Sequence, residues 1–587
     1  MEWRLSLEGT IISEDWTSSV APISVARYTL DRLAALGIEH VFGVPGDYAF
    51  PLNDAVEVHP QLQWVPSSNE LNAAYAADGY ARRKGAAIVC TTFGVGELSA
   101  LNGLMGSMAE RLPVFHLVGL PSMRIMRQGL ICHHSLGDRN YDRFEAISSS
   151  ACCVSARLTP ENAVIELERV IDKSLEESKP AYLSFAMDLA LMPITGEPVQ
   201  GSPIGAIKQH DSVAIELDAV LDLLEARIKA AANPVVLPTV TLRRFGLIPA
   251  FRDFLEASGL AYATTPMDKG ILSEDHPAFM GMYNGGRSTP AALQQVIEDA
   301  DLLIDFGGLV MDDLNTGLWS GHLDPKRTVS LHADWVQADD QVFTSVSLSD
   351  VLAGLITRFN AAAKQDRPWG KERAIQPVDL LPMAGEPEEP TSSAGFYPRL
   401  QRFLQPTDLL VSDTGTCLLK LNAMRLPAGV SMESQTLWAS IGWGTPAALG
   451  CALADDDRRV VLVTGDGGHQ LTAQEIGVMG FTGVSPVVIV LNNGLYGVEA
   501  LISEVGHAYN NIPNWRYAEL PKALGCEGWW CGKAATLAEL EAAFAAINQH
   551  SGAAYLEVMI PAVESQPLAE DVIEMMHQTQ TPKKRPE

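Results

Sequence analysis

The chain has 587 residues, 47% of them hydrophobic and 19% charged, which is ordinary for a soluble globular enzyme with a large core. Its formal net charge of −29 argues against a nucleic-acid backbone or an anionic membrane as a partner. No apolar run approaches the ~20 residues of a membrane span, and no positive region precedes an apolar segment at the N-terminus. The eight cysteines form neither a disulfide framework nor paired zinc-ligand spacings, so we expect reduced thiols and a cytoplasmic protein.

Two stretches rich in proline, glycine and polar residues, 193–211 and 382–395, have the composition of linkers and divide the chain into three blocks. In each block, short β-rich runs alternate with helical patterns. This alternation predicts an α/β fold of three doubly wound parallel-sheet domains, alike in architecture and not in sequence. The predicted units are domains at 20–195, 210–365 and 392–565 and a tail at 566–587.

In the first block, the runs 87–92 and 114–118 predict strands on either side of a helix rich in alanine, leucine and methionine. The segment 68–82 predicts a second helix with Ser68 or Asn69 as its N-cap. Glu70 then falls in the first turn of that helix. From spacing alone, the favoured explanation is that this acid complements the helix dipole.

Further polar residues of the first block stand near predicted strand ends and turns. Asp47 follows a strand that ends in a Pro-Gly turn. His133 and His134 are adjacent, so both can face one site only where the backbone is irregular. A structural and a functional interpretation of this pair are equally plausible from the sequence. In the middle block, the runs 234–237 and 302–306 predict strands.

The third block carries the most specific pattern of the chain. An apolar run, 460–464, leads into Gly465-Asp466-Gly467; a helical stretch, 471–480, and a second apolar run, 486–491, end in Asn492-Asn493. This order predicts a βαβ unit, whose parallel strands bring Asp466 and Asn493 together at one sheet edge. Their oxygens suit Mg²⁺, and the glycines let backbone N–H groups approach a diphosphate. We therefore predict a metal–diphosphate site.

These motifs resemble those of the pyruvate, indolepyruvate and phenylpyruvate decarboxylases, a family of thiamine-diphosphate enzymes. The family's cofactor motif separates Gly-Asp-Gly from Asn-Asn by about two dozen residues, and here 24 residues intervene. The resemblance covers about residues 20–565 and is greatest to the indolepyruvate branch. The segments that carry it outside the Gly-Asp-Gly unit are 69–82, 92–100, 281–285, 312–317 and 438–443.

The resemblance implies a lyase that converts a 2-oxo acid to an aldehyde and carbon dioxide, with thiamine diphosphate and Mg²⁺ as cofactors. It also implies a pyrimidine-binding, a middle and a diphosphate-binding domain. In this superfamily the acid equivalent to Glu70 and the Gly-Asp-Gly motif come from different subunits. A homodimer or homotetramer with active sites at subunit interfaces follows from that arrangement.

The resemblance also implies roles for single residues. Glu70 would hydrogen-bond the aminopyrimidine ring of the cofactor, and Ile441 would force the cofactor into a bent form. Asp466, Asn493 and the backbone carbonyl of Leu495 would bind Mg²⁺. The remaining cofactor contacts implied are Thr414, Gly415, Ala439, Gly465, Gly467 and Gly468.

The same resemblance implies that Asp47, His133, His134 and Glu499 are the catalytic residues of proton transfer. Such steps need groups with separated pKa values. Taken alone, Glu499 would be interpreted as a surface acid. The side chains implied for the substrate pocket are Leu418, Val498, Ile502 and Tyr283.

Three positions depart from the family pattern: Ala439 and Leu495 stand where glycine is common, and Leu418 stands where bacterial pyruvate decarboxylases have tryptophan. The smaller side chain at 418 favours a branched or aromatic 2-oxo acid over pyruvate, although a methylene of pocket space is worth only ~1–3 kcal/mol. The alternatives are a pyruvate decarboxylase, a carboligating enzyme of the acetolactate synthase kind, and an inactive thiamine-diphosphate-binding structural protein.

Overall fold

The computed structural model describes residues 22–204, 211–308, 314–317, 323–361, 380–503 and 506–562. The predicted tail at 566–587 and the start of the matching segment 312–317 lie outside these residues. Each block forms its own sheet flanked by helices, which confirms the predicted α/β class with three parallel-dominated sheets. None of the described helices combines the length and the apolar character that crossing a membrane requires.

The first sheet has six parallel strands in the order β2-β1-β3-β4-β6-β5. Its strands are β1 (His40–Gly43), β2 (Gln63–Pro66), β3 (Ala87–Thr92), β4 (Val114–Leu120), β5 (Val154–Leu158) and β6 (Ala181–Ala186). Its helices are α1 (Val25–Ala35), α2 (Phe50–Glu57), α3 (Glu70–Lys84), α4 (Val95–Ala109), α5 (Met123–Gln128), α6 (Arg143–Ser149), α7 (Ala163–Glu177) and α8 (Met187–Ala190). Both strands predicted for this block are present.

The middle sheet has seven strands in the order β13-β12-β11-β10-β7-β8-β9. They are β7 (Pro234–Pro238), β8 (Tyr262–Thr264), β9 (Phe279–Met282), β10 (Leu302–Phe306), β11 (Thr328–Leu331), β12 (Val336–Ala338) and β13 (Gln341–Phe343). The helices are α9 (Ala214–Ala230), α10 (Thr241–Arg244), α11 (Ile248–Ser258), α12 (Ala292–Glu298) and α13 (Leu348–Ala361).

One edge of the middle sheet is not parallel. Strands β12 and β13 pair antiparallel with their neighbours, unlike the all-parallel sheet that the sequence predicts. Only four residues connect β11 to β12, which is too short for the helical crossover that a parallel pair requires.

The third sheet has six parallel strands in the order β15-β14-β16-β17-β19-β18, the same topology as the first. They are β14 (Leu409–Ser412), β15 (Ser431–Ser434), β16 (Val460–Gly465), β17 (Val487–Asn492), β18 (Trp530–Ala534) and β19 (Ala554–Met559). The helices are α14 (Ser393–Phe403), α15 (Thr416–Ala423), α16 (Gly444–Ala454), α17 (Asp466–Thr472), α18 (Glu475–Thr482), α19 (Gly497–Ile502), α20 (Leu520–Ala523) and α21 (Leu537–Gln549). The helix predicted at 471–480 instead begins at Asp466 and is interrupted after Thr472.

Helices α3 and α16 join the first and third domains into one continuous hydrophobic core. Their backbones cross closely at two glycines. A Cβ added to Gly79 would lie 2.3 Å from the carbonyl oxygen of Ala447, and one added to Gly450 would lie 1.8 Å from that of Ala76. The glycines therefore set the distance between the two domains.

Candidate active site

Asp466 and Asn493 meet at the carboxyl ends of two neighbouring parallel strands, as the sequence predicts. Gly465, the last residue of β16, is in register with Leu491 of β17. The buried Asp466 carboxylate accepts hydrogen bonds from the backbone N–H groups of Asn493 at 3.1 Å and Gly494 at 2.7 Å. Burial raises the pKa of Asp466 to about 6, although these hydrogen bonds act in the opposite direction.

A cavity of about 350 Å³ opens at this edge and is lined by residues around the Gly-Asp-Gly and Asn-Asn motifs. We call it the diphosphate cavity, after the group that the sequence predicts there. Gly467 and Gly468 leave its floor free of side chains. A Cβ on Gly467 would lie 2.7 Å from the ring of Tyr496, and one on Gly468 would lie 2.9 Å from the carboxylate of Asp413. The hard oxygen donors of Asp466 and Asn493 suit Mg²⁺, and this bare glycine floor suits a diphosphate, so the residues fit the cofactors that the sequence implies.

Most of the predicted cofactor contacts lie in the lining of this cavity. The predicted residues found there are Thr414, Gly415, Ala439, Ile441, Gly465, Asp466, Gly467, Gly468, Asn493, Leu495, Val498 and Glu499. They come from four chain segments that the sheet order brings to one edge. Tyr397 and Ile560 add apolar surface that the sequence did not indicate.

Asp413 is a buried residue of this site that sequence reasoning missed. Its carboxylate accepts hydrogen bonds from the N–H groups of Thr414 at 2.8 Å and Gly442 at 3.1 Å and from the hydroxyl of Thr464 at 3.0 Å. Burial raises the pKa of Asp413 to about 6. Asp413 thus ties two lining loops to the end of β16. Its position directly after β14, at the same sheet edge as Asp466, is the signal that could have found it.

The catalytic residues predicted from the first domain form a second group. His133 Nε2 lies 2.8 Å from an Asp47 carboxylate oxygen, and the rings of His133 and His134 are in contact, with centroids 4.5 Å apart. His134 has a φ of 61°, which is the irregular backbone that two converging adjacent side chains require. A Cβ on Gly94 would lie 2.5 Å from the carbonyl oxygen of His134, so Gly94 leaves room for this turn.

Tyr48 supports this histidine pair and was not predicted. Its ring stacks on His133 with a centroid distance of 4.7 Å, and its hydroxyl lies 3.2 Å from His133 Nδ1. A carboxylate oxygen of Asp47 and ring nitrogens of His133 and His134 lie within 4.8 Å of one another. Asp47 and His133, which are at hydrogen-bond distance, can exchange a proton, and the His134 ring lies beside them.

Glu70 begins helix α3, and the N-cap is Asn69, whose side chain accepts a hydrogen bond from Asn72 N–H. The Glu70 carboxyl is half-buried, and this burial raises its pKa. One of its oxygens would lie 3.2 Å from a Cβ placed on Gly96. Glu70 does not belong to the described lining of the diphosphate cavity in its own chain.

Three predicted substrate-pocket residues lie elsewhere among the described residues. Leu418 is 4% exposed and packs in the core of the third domain. Tyr283 is fully buried in the middle domain, where its hydroxyl lies 3.3 Å from Glu298. Ile502 ends helix α19 outside the described lining of the cavity. Val498 alone of the four lines the cavity of this chain.

Three family models of thiamine pyrophosphate enzymes match the chain in order. The N-terminal thiamine pyrophosphate binding domain matches residues 23–139, the central domain 221–355, and the C-terminal thiamine pyrophosphate binding domain 413–558.

Curated relatives match over nearly the whole chain. The chain is 36% identical over 551 residues to an alpha-keto-acid decarboxylase of Mycobacterium ulcerans, covering 94% of this chain and 95% of the relative. It is 37% identical over 545 residues to an alpha-keto-acid decarboxylase of Mycolicibacterium paratuberculosis, covering 92% and 94%. A solved structure from Mycobacterium smegmatis, described as a thiamin diphosphate-dependent enzyme, shares the fold with a TM-score of 0.73 and 21% identity, over 92% of this chain and 100% of that one.

Proposed function

The chain belongs to the alpha-keto-acid decarboxylase family of thiamine pyrophosphate enzymes, and from this premise we propose which of its residues act and on which substrates. It is a thiamine-diphosphate-dependent lyase that decarboxylates a 2-oxo acid. The observation that carries the assignment of the site is the pairing of Asp466 with Asn493 above a glycine floor at the carboxyl ends of β16 and β17.

Asp466, Asn493 and the backbone carbonyl of Leu495 hold Mg²⁺ in this proposal, while Gly467 and Gly468 admit the diphosphate. When bound there, thiamine diphosphate supplies a carbon nucleophile and an electron sink for decarboxylation. Asp413 keeps the loops of the site in place through its three hydrogen bonds.

Glu70 serves as the carboxyl group that shares a proton with the cofactor's pyrimidine ring. Its half-buried position raises its pKa, so it retains a proton more readily than an exposed glutamate. Because Glu70 stands apart from the diphosphate cavity of its own chain, we infer that a second copy completes each site. A homodimer is the smallest such assembly, and a homotetramer would contain two of them.

Asp47, His133, His134 and Glu499 deliver and remove protons at the reacting carbon. The contact of His133 Nε2 with the Asp47 carboxylate orients the imidazole, and Tyr48 stacks on its face. Glu499 reaches the cavity from the first turn of α19. Protonation by this group favours release of an aldehyde over carboligation with a second carbonyl compound.

We assign a bulky substrate, a branched-chain or aromatic 2-oxo acid of the indolepyruvate or phenylpyruvate type. Val498, Ile441, Tyr397 and Ile560 give the cavity an apolar lining that suits such an acyl group. All eight cysteines are free, which is consistent with a reducing, cytoplasmic environment.

A panel of 2-oxo acids tests the substrate assignment. We expect carbon dioxide release and aldehyde formation with thiamine diphosphate and Mg²⁺, and a higher kcat/KM for phenylpyruvate and branched-chain 2-oxo acids than for pyruvate. A preference for pyruvate would refute the bulky substrate. Acyloin as the main product from a single 2-oxo acid would favour carboligation, and Asp466→Asn, which removes a charged metal ligand, provides the inactive control.

A further inference from the structure

A second cavity, of about 500 Å³, lies where all three domains meet and has no part in the site described above. The end of helix α3, the segment around α10 and the start of α11, and the loop before β15 form its walls. Seven basic side chains line it, and none of the described lining residues carries a carboxylate. This is unusual in a chain with 71 acidic and 42 basic residues.

Carboxylates that do not line the cavity pair with four of its basic side chains and neutralise part of their positive charge. The buried Glu433 lies 2.5 Å from Arg243 and 3.6 Å from both Arg82 and Arg83. Its pKa falls to about 2, because these cations outweigh the effect of its burial. Asp78 lies 2.8 Å from Arg82. Asp455 and Glu39, in turn, lie 2.9 Å from Arg83 and 2.8 Å from Lys84.

Three further cations make no ion pair with any described residue: Arg244, Arg252 and Arg458. The side chain of Arg244 donates one hydrogen bond, from Nε to the carbonyl oxygen of Glu110 at 3.2 Å. Its Nη1 and Nη2 atoms are buried and have no hydrogen-bond partner within the described structure. Buried guanidinium groups are normally paired, so these two donors indicate a missing acceptor.

The charge and shape of the cavity restrict what this acceptor is. Guanidinium groups recognise phosphate oxygens through paired N–H donors, and three unpaired ones match the charge of a diphosphate. The N-terminal end of the eleven-residue helix α11 also lies at the cavity and favours an anion. Ile248, Ile271, Leu272 and Val430 provide an apolar surface beside the arginines, which suits an organic body.

We propose that this junction binds an organic diphosphate of nucleotide size, at a site separate from that of thiamine diphosphate. The phosphates contact Arg244, Arg252 and Arg458, and the organic group packs on the apolar wall. Such a ligand contacts the middle and the third domain at once, so its binding stabilises their arrangement. This inference does not depend on the identity of the decarboxylase substrate.

Calorimetric titration of the holoenzyme, saturated with thiamine diphosphate and Mg²⁺, tests the proposal. ADP is the probe, pyrophosphate tests the charge alone, and adenosine tests the ring alone. We expect one ADP site per chain, weaker binding of pyrophosphate, no binding of adenosine, and full retention of thiamine diphosphate. Displacement of thiamine diphosphate by ADP, or no ADP binding at millimolar concentration, would overturn the proposal.

Charge-matched variants locate the site. Arg244→Gln and Arg252→Gln are expected to weaken ADP binding at least tenfold, whereas Arg358→Gln, on the outer helix α13 of the same domain, is expected to leave it unchanged. Arg252 is exposed and its side chain makes no hydrogen bond in the described structure, so its variant tests the proposal even if Arg244→Gln does not fold. Equal ADP affinity in all three variants would exclude this cavity. Carbon dioxide release is measured separately, in the absence of ADP. A failure to detect the ADP site would therefore not count against the proposed decarboxylase function.

Discussion

Ala439 has a backbone φ of 54°, in the left-handed region that disfavours residues with a Cβ. This alanine lines the diphosphate cavity at a position where the resemblance leads one to expect glycine. Ala439→Gly should remove ~1–2 kcal/mol of strain and lose ~0.4–1 kcal/mol to the greater freedom of the unfolded chain. We therefore expect the variant to be more stable by up to about 1.6 kcal/mol and to have a higher thermal midpoint.

The control is the reverse change, glycine to alanine, at Gly442, three residues away. Gly442 has a φ of 89°, and a Cβ there would lie 3.0 Å from Cβ of Leu471. Gly442→Ala should therefore lower the thermal midpoint. A lower midpoint for Ala439→Gly would show that the conformation at 439 carries no strain.

Glu70→Gln tests the role of the half-buried acid in the first turn of α3. The amide keeps the shape of the side chain but cannot exchange a proton, so kcat should fall at least ~10²-fold. Binding of thiamine diphosphate and Mg²⁺ should change little, because Asp466 and Asn493 are untouched. Single-substrate kinetics and a cofactor titration measure the two effects, and normal turnover would remove Glu70 from the mechanism.

The sequence predicted those site residues whose position follows from strand ends. Asp466 and Asn493 converge because two parallel strands must end at one edge, and no long-range information was needed. Asp413 obeys the same rule after β14 but lies within no pattern specific enough to single it out. The positions of Leu418 and Tyr283 depend on packing between elements, which neither spacing nor periodicity reveals.

At the scale of elements, strand patterns were more reliable than helix bounds. Strands β3 and β10 have the predicted limits because both are short, mostly apolar and fully buried runs. The helix after β16 starts five residues earlier than predicted, because Gly465 to Gly468 form its cap and first turn in place of a loop. The antiparallel edge of the middle sheet was missed, since it depends on the length of one connection.

The crossing of α3 with α16 predicts a sharp response to one methyl group. Gly450→Ala would place a Cβ 1.8 Å from the carbonyl oxygen of Ala76, where backbone and not a flexible side chain must move. Such overpacking costs ~1–3 kcal/mol, which exceeds the ~1 kcal/mol that alanine gains in a helix. The thermal midpoint should therefore decrease.

Gly477→Ala in helix α18 is the matched substitution, because its nearest neighbour would lie at an ordinary 3.5 Å. Here the gain in helix propensity should raise the midpoint. If both variants shifted the midpoint in the same direction, the close contact of α3 and α16 would not limit the fold.

For the whole molecule, buried carboxyl groups make stability depend on pH. Burial raises the pKa of Asp268 to about 7, well above the ~3.9 of an unfolded aspartate. The folded state then binds more protons between about pH 4 and 7, so the free energy of unfolding declines as pH rises through this window. Asp268→Asn keeps one oxygen to accept the hydrogen bond of Val240 N–H, and its NH2 group can donate to the Thr265 hydroxyl, which accepts a hydrogen bond in place of donating one. The amide does not titrate.

We accordingly expect Asp268→Asn to raise the thermal midpoint relative to the original protein at pH 8 and to have a smaller effect at pH 5. Asp253→Asn, an exposed carboxylate on α11, should give the same difference at both values. A difference for Asp268→Asn that does not vary with pH would mean that this group does not titrate in the window.

The proposed assembly of the active site from two chains leads to a complementation experiment. Glu70→Gln and Asp466→Asn should each be inactive alone, since one lacks the proposed proton-sharing acid and the other a proposed metal ligand. In a mixed dimer, one site combines both substitutions, whereas the other combines an intact Glu70 with an intact Asp466 from the partner. Unfolding and refolding the variants together in equal amounts should therefore restore about a quarter of the original activity, because about half of the dimers are mixed and each has one intact site. Separately refolded variants mixed afterwards serve as the control, and if co-refolding restored nothing, Glu70 and Asp466 would act within the same chain.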